Sequence, residues 1–274
     1  MKNSILKILK KIWNILPINF KVFFKPLIIY AVKILYALFG AQYLPHRIGK
    51  VGVPLFTRPL MKRSFAQQGE DLILDRIITR VLNWDPNKNY NYIDVGAYDA
   101  IDHSVTYLLY LRGWKGVVFD PSIATEKSFR FWRKRDKFIR AVVGDEDNTK
   151  VSFYIPNSSH GDKSLTSSKY PPKEKIENYK KLIFNQVNLN NELKRQGINK
   201  VDFLNLDVEG AELEIINSFD FDFFKPSIIA IEIHGNNIEK WLQTDEAKTI
   251  LSKGYQAVGS AVITHFFVRK DEIV

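Results

Sequence analysis

The chain from Asn91 onward alternates short apolar runs with amphipathic stretches. Asn91–Val95, Val117–Phe119, Phe138–Val143, Val201–Leu206 and Ile228–Ile233 are nearly continuous apolar segments, as expected of strands buried on both faces. Between and after them, Asp102–Leu111, Ile123–Arg135, Gln186–Gln196, Ala211–Ser218 and Glu239–Ser252 place apolar residues at helical spacing, as does Leu72–Ile78 before the first strand. Val151–Ile155 reads as an extra strand, and Tyr255–Val258 with Ile263–Val268 as a closing hairpin. Strands alternating with helices and ending in a hairpin predict an α/β fold with a mostly parallel sheet and an antiparallel edge. The polar, turn-rich stretch from Pro156 to Pro172 predicts a loop over the site.

The N-terminal quarter follows another pattern. Ile5, Ile8, Leu9, Ile12, Ile15 and Leu16 recur at helical spacing, with Lys7, Lys10, Lys11 and Asn14 on the opposite side. Pro17 and Pro26 break this helix, and a second apolar stretch runs from Leu27 to Phe39, interrupted by Lys33. Neither reaches the roughly 18–20 uncharged apolar residues of a spanning helix. No small-residue cleavage site follows, so a secretory leader is not expected.

Charge sharpens that division. The first 69 residues hold twelve Lys and Arg and no Asp or Glu, so of a whole-chain charge of +10 the remainder carries −2. Residues 1–64 are therefore expected to form a basic amphipathic helical arm, and residues 65–274 the catalytic body. Through residues 1–44 the arm is expected to lie on an anionic membrane surface, making the protein cytoplasmic and peripheral at the inner face. Packing of the arm on the body is the competing reading. A nearly neutral body argues against nucleic acid as a partner. Cysteine is absent, which excludes disulfides, thiolate metal sites and a cysteine nucleophile.

Three of the strands stop at an acid: Asp94, Asp120 and Asp207. In an open α/β sheet ligands bind beyond the carboxyl ends of the strands, so these acids are expected on one rim. The turn Gly96-Ala97-Tyr98-Asp99 has one glycine and an aspartate where a dinucleotide site needs G-x-G-x-x-G. That suits a sulfonium with an amino-acid tail better than a diphosphate, and S-adenosylmethionine is the expected cofactor. Asp94 is then expected near the methionine ammonium, with Gly96 and Ala97 allowing close backbone approach. Asp120 is expected on the ribose hydroxyls and Asp145 on the adenine amino group. Gln67 and Glu70, with Asp71, are expected to fold over the methionine end. A lone strand-end aspartate is more often a turn former or cap, but three in this order outweigh that reading.

For proton removal the rim offers Asp207, Glu209, Glu232 and His234, with His234 the first choice because imidazole titrates near neutrality. Glu209 and Asp207 are expected to orient the acceptor. Glu212 reads as a first-turn structural acid and Gly210 as the strand-to-helix turn. No Asp-Asp or His-x-His pair stands at ligand spacing, so a divalent metal, though compatible with Glu209 and Asp207, is not expected.

The body resembles the FkbM family of S-adenosylmethionine-dependent methyltransferases from about Phe65 to the C-terminus. The likeness is carried by Gln67-Gln68-Gly69-Glu70-Asp71, Asp94-Val95-Gly96-Ala97, Ser104-Val105-Thr106-Tyr107, Arg112-Gly113-Trp114-Lys115-Gly116 and Asp120-Pro121. Most specific is Asp207-Val208-Glu209-Gly210-Ala211-Glu212. The resemblance implies a class I methyltransferase (Rossmann-like) fold, with a mostly parallel seven-stranded sheet and a C-terminal antiparallel hairpin. It further implies methyl transfer to oxygen, on sugars of surface glycans or on secondary metabolites. Ala66 departs from the family's usual serine, and Tyr98 and Ala100 from its Asn-Asp-Gly. Two other readings compete: a non-catalytic membrane-associated scaffold with a vestigial cofactor fold, and an RNA methyltransferase working through the basic arm. Methylation of a base amino group is disfavoured, because no Asn/Asp-Pro-Pro-aromatic string follows the fourth strand. The loop from Asn157 to Ser168, rich in Ser and Gly with His160, suits a hydroxylated acceptor such as a sugar.

Overall fold

The computed structural model describes residues 64–157, 167–172, 175–234 and 237–274. The expected helices of the arm, its boundary with the body, and most of the loop over the site lie outside the described residues.

Seven strands form one twisted sheet: β1 (Asn91–Val95), β2 (Lys115–Phe119), β3 (Lys137–Ile139), β7 (Phe203–Leu206), β8 (Ile228–Glu232), β9 (Tyr255–Ala261) and β10 (Thr264–Arg269). Their spatial order is β3-β2-β1-β7-β8-β10-β9. β1 pairs in parallel with β2 (Ile93 opposite Val117) and with β7 (Val95 opposite Leu206). β10 inserts antiparallel between β8 and β9, as the hairpin reading anticipated. The chain steps outward from β1 through β2 to β3 and then returns to β7 on the other side of β1. The strand order thus reverses between β1 and β7, and that is where such a sheet opens a crevice.

Side-chain alternation sorts the core into two layers. Ile93, Val95, Phe119, Leu204, Leu206 and Ile229 face one side and pack against Ile215, Ile216 and Ile250. Tyr92, Val118, Phe203, Ile228 and Ala230 face the other, against Leu74, Ile78, Trp114 and Phe129.

Several boundaries differ from those expected, each for a local reason. The predicted strand Phe138–Val143 divides: β3 stays in the main sheet, while β4 (Val142–Gly144) joins a separate three-stranded sheet with β5 (Thr149–Pro156) and β6 (Tyr179–Asn188). β6 was not anticipated, because its exposed Lys181, Ile183 and Asn185 show no clean apolar alternation. It consumes the start of the expected helix Gln186–Gln196, leaving α4 at Leu189–Arg195, after α1 (Glu70–Arg76), α2 (Tyr107–Leu111) and α3 (Ile123–Trp132). α2 starts five residues later than predicted. Asp99 accepts the amides of Ile101 (3.0 Å) and Asp102 (3.1 Å), and His103 adopts φ 58°, so those residues form a turn. α3 begins where Ser122 Oγ accepts the Thr125 amide, and it ends before Arg133, whose side chain is drawn into the core. A Thr244 cap on the Ala247 amide divides the expected helix Glu239–Ser252 into Ile238–Trp241 and Asp245–Ser252. No helix of the described residues is long and apolar enough to cross a membrane.

Candidate active site

The loops after β1, β2 and β7 meet at the point where the strand order reverses. Gly96 has φ 87°, and a Cβ built on it would stand 1.6 Å from the Asp207 carbonyl oxygen. The Asp207 amide in turn donates to the Val95 carbonyl at 3.0 Å. Glycine is therefore demanded here by contact between two loops of the protein, ahead of any contact with a ligand.

Next to it, the Asp120 carboxylate accepts the amides of Ser122 (2.8 Å) and Tyr98 (3.1 Å), the latter residue held at φ 51°. Asp120 is thereby fixed at the carboxyl end of β2 on the wall of a cleft of ≈ 740 Å³, open to solvent. The lining also includes the apolar Phe119, Ala141, Val142 and Val143, with Phe153 of β5. An apolar slot beside a braced carboxylate fits a flat nucleobase joined to a ribose, with the carboxylate accepting its hydroxyls.

The other end of the cleft is acidic. Asp207 and Glu209 line it, and two successive left-handed residues, Glu209 (φ 55°) and Gly210 (φ 101°), turn the chain into α5 (Glu212–Ser218). Glu212 stiffens that turn: its carboxylate accepts the amides of Val208 (3.0 Å) and Gly210 (2.8 Å). Ser168 adds a third tie, donating its hydroxyl to the Glu209 carbonyl at 2.7 Å. From the end of β8, Glu232 hydrogen-bonds with Asp207. His234 Nε2 lies 3.7 Å from Glu232 Oε1 and 4.0 Å from Glu209 Oε2.

This crowding raises the proton affinities of Asp207, Glu209 and Glu212. Enclosure by the protein, then the hydrogen bond and charge of Glu232, then Glu209 hold Asp207 well above the ordinary carboxylate range. Asp207 is nonetheless exposed to the cleft, so solvent weakens this effect. Glu209 is pushed up to about 7, by burial first and then by Glu232, with His234 opposing. Glu212 is also raised by burial, partly offset by the amides it accepts.

Of the residues expected from sequence, the structure brings Gly96, Asp120, Asp207 and Glu209 to the cleft and sets His234 beside it. Asp94 goes elsewhere. It shares the pleat of Tyr92, points to the opposite layer, is 2 % exposed, and accepts Thr106 Oγ1 (2.5 Å) and Asn205 Nδ2 (2.9 Å). Burial raises its proton affinity, with the nearby Arg133 charge opposing. Ala97 is buried, its amide directed at the Phe119 carbonyl. Asp145 is exposed at the end of β4, tied through its backbone to Glu214 and Asn188, because the third strand leaves the main sheet before reaching it. Gln67 is exposed and Glu70 buried, and neither lines the cleft. Glu70 accepts the Gln68 amide, and Asp71 accepts the Ser64 hydroxyl and the Phe65 amide, so this motif fastens the start of the body.

Sequence reasoning missed Tyr98, Phe153, Ser167 and Lys169 on the cleft wall. A non-glycine residue beside the glycine of the first turn is a weak cue to Tyr98. Ser167 and Lys169 belong to the polar loop expected over the site and Phe153 to the extra strand before it, but nothing in the pattern marks these three individually.

The family model of the methyltransferase FkbM domain matches residues 94–257. No curated protein sequence matches the chain. Among solved structures, the Methanococcus jannaschii fibrillarin pre-rRNA processing protein is similar at 12% identity over 68% of this chain and 69% of that one, with a TM-score of 0.38. Aeropyrum pernix fibrillarin with natively bound S-adenosyl-L-methionine gives 13% identity, 72% and 71% coverage, and 0.37. A putative caffeoyl-CoA O-methyltransferase from Staphylococcus aureus gives 8% identity, 88% and 97% coverage, and 0.39. The family match spans more than half of the sequence, and the chain belongs to the FkbM family of S-adenosylmethionine-dependent methyltransferases.

Proposed function

We propose that this methyltransferase acts on a hydroxyl group, carried by a sugar of a surface glycan or a related metabolite. The observation that carries the reading is that Asp207 and Glu209 line the cleft across β1 from Asp120 and the apolar slot, with Glu232 and His234 set beside them. S-adenosylmethionine supplies a methyl carbon already activated by its sulfonium. What remains for the protein is to position the acceptor and receive its proton. Asp120 and the Gly96 turn hold the donor's ribose end, while the carboxylate wall hydrogen-bonds the acceptor hydroxyl and takes up its proton as the new carbon–oxygen bond forms. The net acidity of that wall also complements a cationic donor.

Transfer of labelled methyl groups into a cell's polysaccharide fraction tests this. Wild-type protein should deposit alkali-stable methyl ethers, and His234→Ala and Glu209→Ala should each lower the rate by roughly 10²-fold, the usual worth of a positioned acid–base group. Full transfer by both variants would remove the wall from the chemistry.

For residues 1–44 we propose attachment to the anionic inner face of the membrane, supported by twelve basic residues and no acids in the first 69. Deleting residues 1–44 should abolish co-sedimentation with phosphatidylserine-containing vesicles. Undiminished binding would exclude the attachment.

A further inference from the structure

We infer that the polar wall is a binding site for one divalent cation, ligated by Glu209, Glu232 and His234, and that the ion presents the acceptor hydroxyl to the methyl donor. One oxygen from each glutamate and one imidazole nitrogen lie within 4.8 Å of one another. Ligands about 2.0–2.2 Å from a shared metal stand about 3–4 Å apart, so the 3.7 Å and 4.0 Å separations from His234 need little closure. His234 is exposed, so its side chain can supply that movement.

A second observation comes from Glu232, which is 8 % exposed. Every other buried carboxyl among the described residues has a hydrogen-bond donor of its own. Asp94 has Thr106 and Asn205, Asp120 has two amides, Glu212 has two amides, Asp202 has the Asn91 amide and Lys200, and Glu192 has Arg195. Glu70 likewise accepts the Gln68 amide, and Asp71 an amide and a hydroxyl. Glu232 instead meets a second carboxyl, Asp207, with His234 Nε2 at 3.7 Å. No Lys or Arg forms an ion pair with Asp207, Glu209 or Glu232 among the described residues, although Glu214 and Asp136, on neighbouring elements, are each paired to one. A buried carboxylate left without a cation is costly. A dication that replaces the missing donors offsets that cost.

The donor set narrows the ion. Two carboxylate oxygens and one imidazole, with no thiolate in the chain, suit Mn²⁺, Fe²⁺ or Zn²⁺ better than Ca²⁺. Sequence spacing hid the site, because Glu232-x-His234 ends one strand and Glu209 follows its neighbour.

The inference rests on the methyltransferase reading for its chemical role. With the acceptor oxygen on the ion, its O–H is acidified. The oxygen forms a bond to the methyl carbon, the carbon–sulfur bond breaks with its electron pair left on sulfur, and the proton leaves to the solvent of the open cleft.

The test uses the full chain stripped with EDTA and titrated with Mn²⁺, free ion being read by electron paramagnetic resonance. One saturable site per chain is expected, with the dissociation constant raised about tenfold or more in Glu232→Gln and in Glu209→Gln. S-adenosylhomocysteine binding, measured calorimetrically in EDTA, should persist in both variants and so confirms that they fold. Absence of saturable Mn²⁺ binding up to millimolar ion, or equal binding by Glu232→Gln, would overturn the inference. Mn²⁺ binding without S-adenosylhomocysteine binding would instead leave the ion site standing and defeat the methyl-donor reading.

Discussion

The hydroxyl of Thr106 stands 2.5 Å from Asp94 Oδ2 and accepts a hydrogen bond from Arg133 Nη2 at 2.9 Å, so Asp94 is joined to a fully buried guanidinium through one side chain. Arg133 also reaches Tyr92 OH (2.6 Å), Ser104 Oγ (3.1 Å) and Asp136 Oδ2 (2.6 Å), which ties α3 to β1 behind the cleft. In this protein the acid of the first strand is a buried brace.

Removing the cation should therefore be severe. Arg133→Met leaves Asp94 and Asp136 without their positive partner, and unfolding free energy should drop by about 3–5 kcal/mol, as when a buried ion pair is broken. Urea denaturation checks this. A loss under about 1 kcal/mol would show that the network is dispensable.

Gly96→Ala places a methyl group against the Asp207 carbonyl at a left-handed backbone position. Stability should fall by more than about 3 kcal/mol, and S-adenosylhomocysteine binding should be lost with it. A variant with wild-type stability would mean that the two loops separate freely.

Glu212→Ala orphans the amides of Val208 and Gly210 in the turn that presents Glu209. The cost should be about 1–3 kcal/mol, with turnover reduced more than donor binding, and Glu212→Gln should recover part of both because its amide oxygen still accepts. Equal behaviour of the two variants would contradict the bracing role.

Stability should also report the crowded wall. Glu209 binds its proton up to about 7 in the folded chain against an ordinary 4.5. Between those values the folded state holds a proton that the unfolded state has released, so stability decreases as pH rises through this window and levels off above it. Asp207, raised as well, acts in the same direction. In metal-free buffer the urea midpoint should decline from about pH 5 to about pH 8, and less steeply in Glu209→Gln. A decline of the same steepness in that variant would contradict the assignment.

Periodicity exposed the main sheet because β1, β2, β7 and β8 are buried on both faces and read as apolar runs. Asp207-Val208-Glu209-Gly210 was legible as a site for a related reason: polar residues ending a buried strand must sit on the rim. The same reasoning misplaced Asp94, which lies one residue inside its strand, so the pleat turns it to the opposite layer. Asp145 was misplaced when one apolar run supplied strands to two sheets, a switch at Arg140 and Ala141 that no local pattern records. β6 stayed hidden because a partly solvated strand loses its alternation. The meeting of Glu209 with Glu232 and His234 depends on β7 lying beside β8, a tertiary pairing.

Calorimetric titration of the full chain with S-adenosylhomocysteine reaches the central claim most directly. The cleft should bind one molecule per chain, and Asp120→Asn, which keeps the side chain's shape but weakens acceptance of the ribose hydroxyls, should reduce affinity by about tenfold or more, the equivalent of about 1.4 kcal/mol. No saturable binding by the wild-type chain, or undiminished affinity in Asp120→Asn, would contradict the placement of the methyl donor at this rim.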